Sequence, residues 1–216
     1  MTSWPKRINN VFHVLKTLVN QEIKPDLIEI NLSLIEFPNK ENSLPTELIS
    51  FIHENKNIEI NWVKKNTGVF KKIIPTIKKF YGMDYYLLSV DDDFLYRKDY
   101  ISKMINYLEK YNSDSFCLAG NKIIGNAMIY KSLSFDYDFI EKLTDEIINA
   151  RISDLYILHY LKSKKKIIKG FRHKRLKQIR FPFNPIFPNS NNTKTGKYSK
   201  KSIKNSVKLI KKIKFL

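Results

Sequence analysis

Between Gly82 and Phe94 the chain reads Met-Asp-Tyr-Tyr-Leu-Leu-Ser-Val-Asp-Asp-Asp, an apolar block from Tyr85 to Val90 that stops abruptly in three aspartates. Short blocks of aromatic and branched residues bounded by glycine and charge make buried strands. The acids then stand at the carboxyl end of such a strand. In open α/β sheets the ligand crevice lies outside the carboxyl ends of the strands, so this stretch calls for a layered α/β fold with Asp91, Asp92 and Asp93 at its functional edge. Adjacent carboxylates raise one another's proton affinity, a cost that a cation offsets, and oxygen-only ligands favour a hard ion such as Mg2+ or Mn2+. The plainer reading is that one or two of the aspartates cap a following helix.

The chain before this stretch alternates in the same sense. Apolar residues at helical spacing predict helices over 8–21, 44–54 and 69–80, the second with Pro45 in its first turn and the third interrupted near Pro75. Strand patterns cover 26–32 and 57–63, and a fourth helix follows the acids over 99–111. Helix and strand in alternation predict a doubly wound, mostly parallel sheet flanked by helices. The second half is less regular. Short strands at 115–118 and 127–130 surround Gly120 and Gly125, helices are expected at 139–150 and 152–162, and 164–176 is basic and ambiguous. Phenylalanines and prolines interleave over 181–188 in an extended segment that should pack over the body. One domain over 1–188 is therefore expected, followed over 189–216 by a basic linker and an amphipathic tail helix with Ile203, Val207, Ile210 and Ile213 on one face.

Charge separates these two parts. All 21 acidic residues lie at or before Asp154, together with 20 of the 39 lysines and arginines, so the body is near neutral and the C-terminal part strongly basic within a net charge of +18. Such asymmetry points to a polyanionic partner: phospholipid, nucleic acid or a phosphorylated substrate. No apolar run approaches membrane-spanning length. The first residues do not resemble a secretory leader, and a single cysteine, Cys117 between Phe116 and Leu118, suits core packing in a reducing cytoplasm.

Three pieces taken in order, Thr2-Ser3-Trp4-Pro5-Lys6-Arg7-Ile8, then Asn66-Thr67-Gly68 with Lys71-Lys72, then Asp91-Asp92-Asp93, resemble a bacterial GT-A type glycosyltransferase. The likeness is to the family 2-like enzymes that build cell-surface glycans such as lipopolysaccharide or capsule. It implies a metal-dependent, inverting transfer of sugar from a nucleotide-sugar donor to a saccharide acceptor, a lipid-linked one included. The family's Asp-x-Asp motif falls on Asp91 and Asp93 as ligands of Mn2+ or Mg2+, with Asp91 or Asp92 beside the ribose. Thr2, Ser3 and Arg7 fall on the loop bordering the nucleotide, and Asn66 and Lys72 on the helix start over the donor. Asp154, in Ser153-Asp154-Leu155-Tyr156, falls on the catalytic base that takes the proton of the acceptor hydroxyl. The resemblance also implies an apolar strand ahead of Thr2, which the sequence from Met1 does not contain; an inactive relative is therefore one alternative.

Each assignment has a plain competitor. Arg7 at a helix start is equally a solvated cation, Lys71 and Lys72 equally a solvated face, and Asp154 equally a helix cap. Asp145 and Glu146 read as solvated, and His159 as a core or interface histidine. His173 resembles the C-terminal metal histidine of some GT-A enzymes, but cations crowd around it. The tail helix suits the surface of an anionic bilayer, which would put the enzyme peripherally on the cytoplasmic face of the membrane; a merely solubilising tail is the alternative. A nucleic-acid-binding protein or metal-dependent nuclease is the reading from a different class. It is disfavoured because the cations gather at the chain's end, whereas a nuclease needs them flanking its metal site.

Overall fold

A computed structural model describes residues 1–120, 127–150, 153–172, 183–185, 208–210 and 212–213. The apolar block before the acids forms the strand Tyr86–Ser89 (β3). With Ser115–Gly120 (β5), Ala127–Lys131 (β6) and Ile168–Arg172 (β7) it makes a four-stranded sheet in the order β3-β6-β5-β7. β6 runs antiparallel to both neighbours, while β5 and β7 are parallel. Side chains alternate across a pleated strand. Leu87, Cys117, Met128 and Tyr130 accordingly enter one core, and Leu88, Phe116 and Ile129 the other. Both faces are covered, which is why these strands carry continuous rather than alternating hydrophobicity.

The first core is closed by Ile8–Val19 (α1), Thr46–Glu54 (α2) and Tyr100–Lys110 (α4). Val11, Leu15 and Leu18 of α1 and Met104 and Leu108 of α4 are buried there at the three- and four-residue spacing of one helix face. The second is closed by the 3-10 turn Gly68–Lys72, by Ile74–Lys79 (α3) and by Ser153–Ser163 (α7). Phe135, Phe139, Tyr156 and Tyr160 form an aromatic cluster in it, with ring centroids 4.7–5.8 Å apart.

Ile28–Ser33 (β1) and Ile58–Val63 (β2) form a separate parallel pair in which Asn31 faces Asn61. The Asn61 amide donates to Asn31 Oδ1 at 2.8 Å, and Asn31 is fully buried. Along the other edge of β1 lie Met1 to Ser3. Thr2 bridges Asn31 in the parallel sense, the Met1 amino group donates to the Glu29 carbonyl at 2.7 Å, and the Asn31 amide donates to the Met1 carbonyl at 2.9 Å. These residues form a short stub where the resemblance implies a strand.

The α/β arrangement is the expected one, with a mixed sheet, since the hairpin of β5 and β6 brings antiparallel neighbours that helix–strand alternation does not announce. Other details differ from the sequence reading. The aspartates are followed by a strand, Phe94–Tyr96 (β4), so helix capping does not account for them. The helix expected over 139–150 is two short ones, Asp138–Glu141 (α5) and Asp145–Asn149 (α6), because Thr144 is extended and its hydroxyl accepts the Ile147 amide as an N-cap. The ambiguous stretch after 164 supplies β7. Phe183–Pro185 (β8) pairs antiparallel with β4. The rest of 181–188, the linker at 189–196, His173, Ile203 and Val207 lie outside the described residues.

A helical turn at 208–210 lies against the second core. Ile210 is only 4% exposed, Leu209 and Ile213 pack beside it, and His159 Nε2 is 3.1 Å from the Ile213 carbonyl oxygen. His159 is thus an interface residue. Of the expected membrane-facing stripe, Ile210 is thus buried against the body of the protein and Ile213 partly so. Among the described residues no helix is long and apolar enough to cross a membrane.

Candidate active site

The site is built where β3 ends. Asp91, Asp92 and Asp93 turn the chain from β3 into β4, and the turn is held from behind: the Asp91 amide donates to the Tyr96 hydroxyl at 2.8 Å, and the Tyr96 amide donates to Thr17 Oγ1 of α1 at 3.1 Å. Gln21 fixes the same corner, donating to the Arg97 carbonyl at 2.8 Å and accepting from the Ile101 amide at 3.0 Å. Neither Tyr96 nor Gln21 stood out in the sequence. Both act through backbone groups, which leave no signature in residue type.

The three acids do different things. Asp92 points inward and is buried; its Oδ2 accepts from Ser3 Oγ at 2.6 Å and its Oδ1 pairs with the Arg7 guanidinium at 2.9 Å. Arg7 pairs with Asp93 Oδ2 as well. Burial pushes the Asp92 carboxyl up to about 6 despite Ser3 and Arg7, and burial likewise raises Asp93 against the pull of Arg7. Asp91 is more open and faces Lys72, whose Nζ lies 3.3 Å from its Oδ1. Lys72 also reaches Asp154 Oδ1 at 3.9 Å. Desolvation pulls the Lys72 ammonium down, but Asp91 and then Asp154 outweigh it and hold the ammonium above its ordinary value. Burial raises the Asp154 carboxyl, and Lys72 opposes the rise.

The fold thus gathers Ser3, Arg7, Lys72, Asp91, Asp92, Asp93 and Asp154 into one charged cluster. Asp154 stands in the first turn of α7, where a negative charge suits the helix dipole, with Ser153 Oγ 3.4 Å away. Arg7 is not a solvated cation; it neutralises two carboxylates. Thr2 is turned away from the cluster, with its hydroxyl on the Asn31 carbonyl at 2.6 Å. Asn66 stands one step back, its Oδ1 accepting from the Lys71 ammonium at 2.8 Å and from the Gly68 amide at 3.0 Å. Lys71 is almost fully buried and pairs with Glu36, so the solvated-face reading of Lys71 and Lys72 is wrong for both. Glu36 was unremarkable in a polar loop of the sequence; here it ties the end of β1 to the 3-10 turn that presents Lys72. Asp145 is exposed and paired with Lys65 at 2.7 Å, away from the acids. Cys117 is buried, and burial, then the Asp154 charge, pushes its thiol up to about 12, so it is no nucleophile.

Among the described residues no three His, Cys, Asp or Glu side chains converge into a closed metal cage. A hard ion held by one or two carboxylates and completed by water and substrate phosphate needs no such cage. Asp91 and Asp93 each keep one oxygen, Oδ2 and Oδ1 respectively, outside the ion pairs with Lys72 and Arg7.

No family model matches the chain, and no curated protein sequence matches it. Its fold is similar to that of TarS from S. aureus. Against TarS 1–349 in complex with UDP-GlcNAc the TM-score is 0.57 at 11% identity, over 97% of this chain and 63% of that one. Against the same protein in complex with UDP it is 0.53 at 10% identity, over 97% and 62%. A Bacillus anthracis structure carrying the name glucose-1-phosphate thymidylyltransferase, in complex with a sucrose, gives 0.52 at 10% identity over 96% of this chain and 84% of that one. The chain spans less than two thirds of the TarS 1–349 chains it matches. At these identities the likeness is one of fold, a GT-A-like α/β architecture.

Proposed function

We propose that the chain is a glycosyltransferase that takes a sugar from a nucleotide-sugar donor, with the diphosphate held between Lys72 and the aspartates after β3 and the acceptor activated by Asp154. The observation that carries this reading is the position of Lys72, between a strand-end carboxylate and a second carboxylate brought in from α7. A strand-end acid alone fits many phosphate-binding proteins. A separate carboxylate of raised proton affinity, close to the same lysine, is what a transfer to a hydroxyl acceptor requires. The shared fold with a protein seen in complex with UDP-GlcNAc and with UDP supports the same choice of donor.

The residues divide the work as follows. Lys72, as a point charge, would meet the diphosphate that gains charge as the sugar leaves. Asp154 would accept the proton of the acceptor hydroxyl while that oxygen forms its bond to the anomeric carbon; the bond from that carbon to the diphosphate oxygen breaks, and the electron pair leaves with the nucleoside diphosphate. Attack opposite the leaving group inverts the anomeric centre. Asp92 and Arg7 would stay out of the chemistry, locked to each other and to Ser3. Asp91 and Asp93 would hold Mn2+ or Mg2+, which when bound supplies further neutralisation of the leaving diphosphate. The acceptor is proposed to be a saccharide of the cell surface, and the basic C-terminal part supports an anionic setting for it.

The direct test is calorimetric titration with UDP, UDP-GlcNAc and other nucleotide sugars, with and without Mn2+, beside an assay for nucleoside diphosphate release. Binding that weakens in Lys72→Met, and turnover that disappears in Asp154→Asn while binding persists, is the expected pattern. If no nucleoside diphosphate or nucleotide sugar binds under any of these conditions, the reading is wrong.

A further inference from the structure

Among the described residues Lys71 is the one buried lysine or arginine, at 2% exposure. Its ammonium is held by the Glu36 carboxylate and, at 2.8 Å, by Asn66 Oδ1. Both partners are themselves fixed. The Glu36 amide donates to the Ser33 carbonyl at 3.0 Å at the end of β1, and the next residue, Phe37, is buried with its ring 6.5 Å from that of Trp62 on β2. Asn66 Oδ1 also accepts the Gly68 amide, at the start of the 3-10 turn that carries Lys71. Stability alone does not explain such a pair, because apolar residues of similar volume in place of a buried ion pair are often neutral or better.

What the turn presents does explain it. Successive residues of a 3-10 turn point about 120° apart. Phe70, Lys71 and Lys72 reach three parts of the molecule in this way: the Phe70 ring meets that of Tyr156 on α7 at 5.6 Å, Lys71 meets the end of β1 through Glu36, and Lys72 meets Asp91 and Asp154. Rotating the turn to move one of them moves all three. A lysine carries its charge on a flexible stem, so the Lys72 ammonium is placed only as well as the backbone it starts from. We propose that Lys71 is a positioning residue: gripped by Glu36 and Asn66, it fixes the turn so that the Lys72 ammonium stands between Asp91 and Asp154, where it receives a diphosphate. The identity of that ligand rests on the transferase reading; the fixing of Lys72 does not.

The test separates positioning from stability by removing both charges at once. Lys71→Met combined with Glu36→Gln leaves no buried charge without a partner and should melt close to the parent, whereas either change alone should lower the melting temperature. The readout without nucleotide is reductive methylation of the full chain followed by peptide mapping, with exposed Lys110 as the internal reference. An amine reacts in its neutral form, so the paired Lys72 of the parent should react slowly. In the double variant Lys72 should be labelled about tenfold faster and UDP bound about tenfold more weakly, the equivalent of one hydrogen bond to a charged group. Unchanged Lys72 labelling in a double variant that melts like the parent overturns the proposal, and so does unchanged UDP affinity where the parent binds UDP. If the parent binds neither UDP nor any other nucleoside diphosphate, the transferase reading fails, and the labelling by itself still decides the role of Lys71. Should the double variant not fold, Asn66→Ala, which keeps the ion pair and removes the contacts to Lys71 and Gly68, is read by the same two measurements, with smaller changes in the same direction.

Discussion

Lys72 Nζ lies 3.9 Å from Asp154 Oδ1 while remaining within 3.3 Å of Asp91, so a residue after β2 links the end of β3 to the start of α7. The lysine and Asp154 hold one another: each favours the charged form of its partner.

This coupling has a readable sign. Burial raises the Asp154 carboxyl above its ordinary value near 3.9, and a base works only when ionised. Turnover should therefore fall as pH drops through that raised value. Lys72→Met removes the charge that opposes the rise, so the acid limb of the kcat profile should move to higher pH. Asp154→Asn should lower kcat by roughly 10²–10⁴-fold with donor binding little changed. A limb that stays in place in Lys72→Met would count against the coupling.

Arg7 is a stability residue before it is anything else. Arg7→Ala leaves Asp92 and Asp93 buried without a counter-charge, and removing one partner of a buried pair costs about 3–5 kcal/mol. Arg7 is itself a quarter exposed, so the low end is expected. Adding Asp92→Asn to Arg7→Ala should recover part of the loss, because it removes one of the stranded charges. Urea unfolding of the parent, both single variants and the double variant measures this; strictly additive losses would contradict it.

Gly170 faces Cys117 across the parallel ladder of β5 and β7, and a Cβ there would meet the Cys117 carbonyl oxygen at 3.0 Å and its Cβ at 3.4 Å. The carbonyl is backbone and cannot swing away. Gly170→Ala should cost about 1–3 kcal/mol as overpacking. Gly68 has open space around it and only a φ of +57° to satisfy, so Gly68→Ala should cost less, about 1 kcal/mol, and Gly68→Asn less again. The order of the three melting temperatures is the check.

The buried Met1 amino group predicts a pH dependence in protein whose first residue is Met1. Its value falls from 8.0 to about 6 on folding, chiefly by desolvation. Between these values the unfolded chain binds the proton and the folded one does not, so stability should rise with pH across this window, by up to about 3 kcal/mol. That contribution is complete above pH 8 and lost as pH falls through 6. Acetylating the amine should flatten the slope between the two, measured by urea unfolding at successive pH values.

How much of this the sequence carries depends on the range of the interactions involved. The strand before Asp91 and the helices α1, α2 and α4 are written in local patterns of apolar residues, and they lie within a few residues of where periodicity puts them. The break at Thr144 was hidden because Phe139, Ile147 and Ile148 keep an apolar rhythm straight through it. The antiparallel run of β3, β6 and β5 depends on which strands meet, and residue types do not say that. In the site, the acids announced themselves, but the distinction between inward Asp92 and outward Asp91 arises only when Arg7 arrives from α1's approach. Lys71 misled for a simple reason. In a chain with 39 cations a lysine carries little information until Glu36 is seen beside it.

The hydrogen bond between Asn31 and Asn61 bears on how the chain threads. Parallel strands slipped by two residues present the same faces, so Ile28, Ile30 and Leu32 against Ile58, Ile60 and Trp62 tolerate such a slip by hydrophobicity alone. A slip one way sets the buried Asn31 Oδ1 opposite Val63, without a donor, at a cost of about 1–3 kcal/mol. The other way sets it opposite Glu59, whose carboxylate accepts and cannot donate to it. The pair therefore works as a detent with a single resting position. Only in that position do the strands end level, so that Glu36 and Asn66 close on Lys71 together.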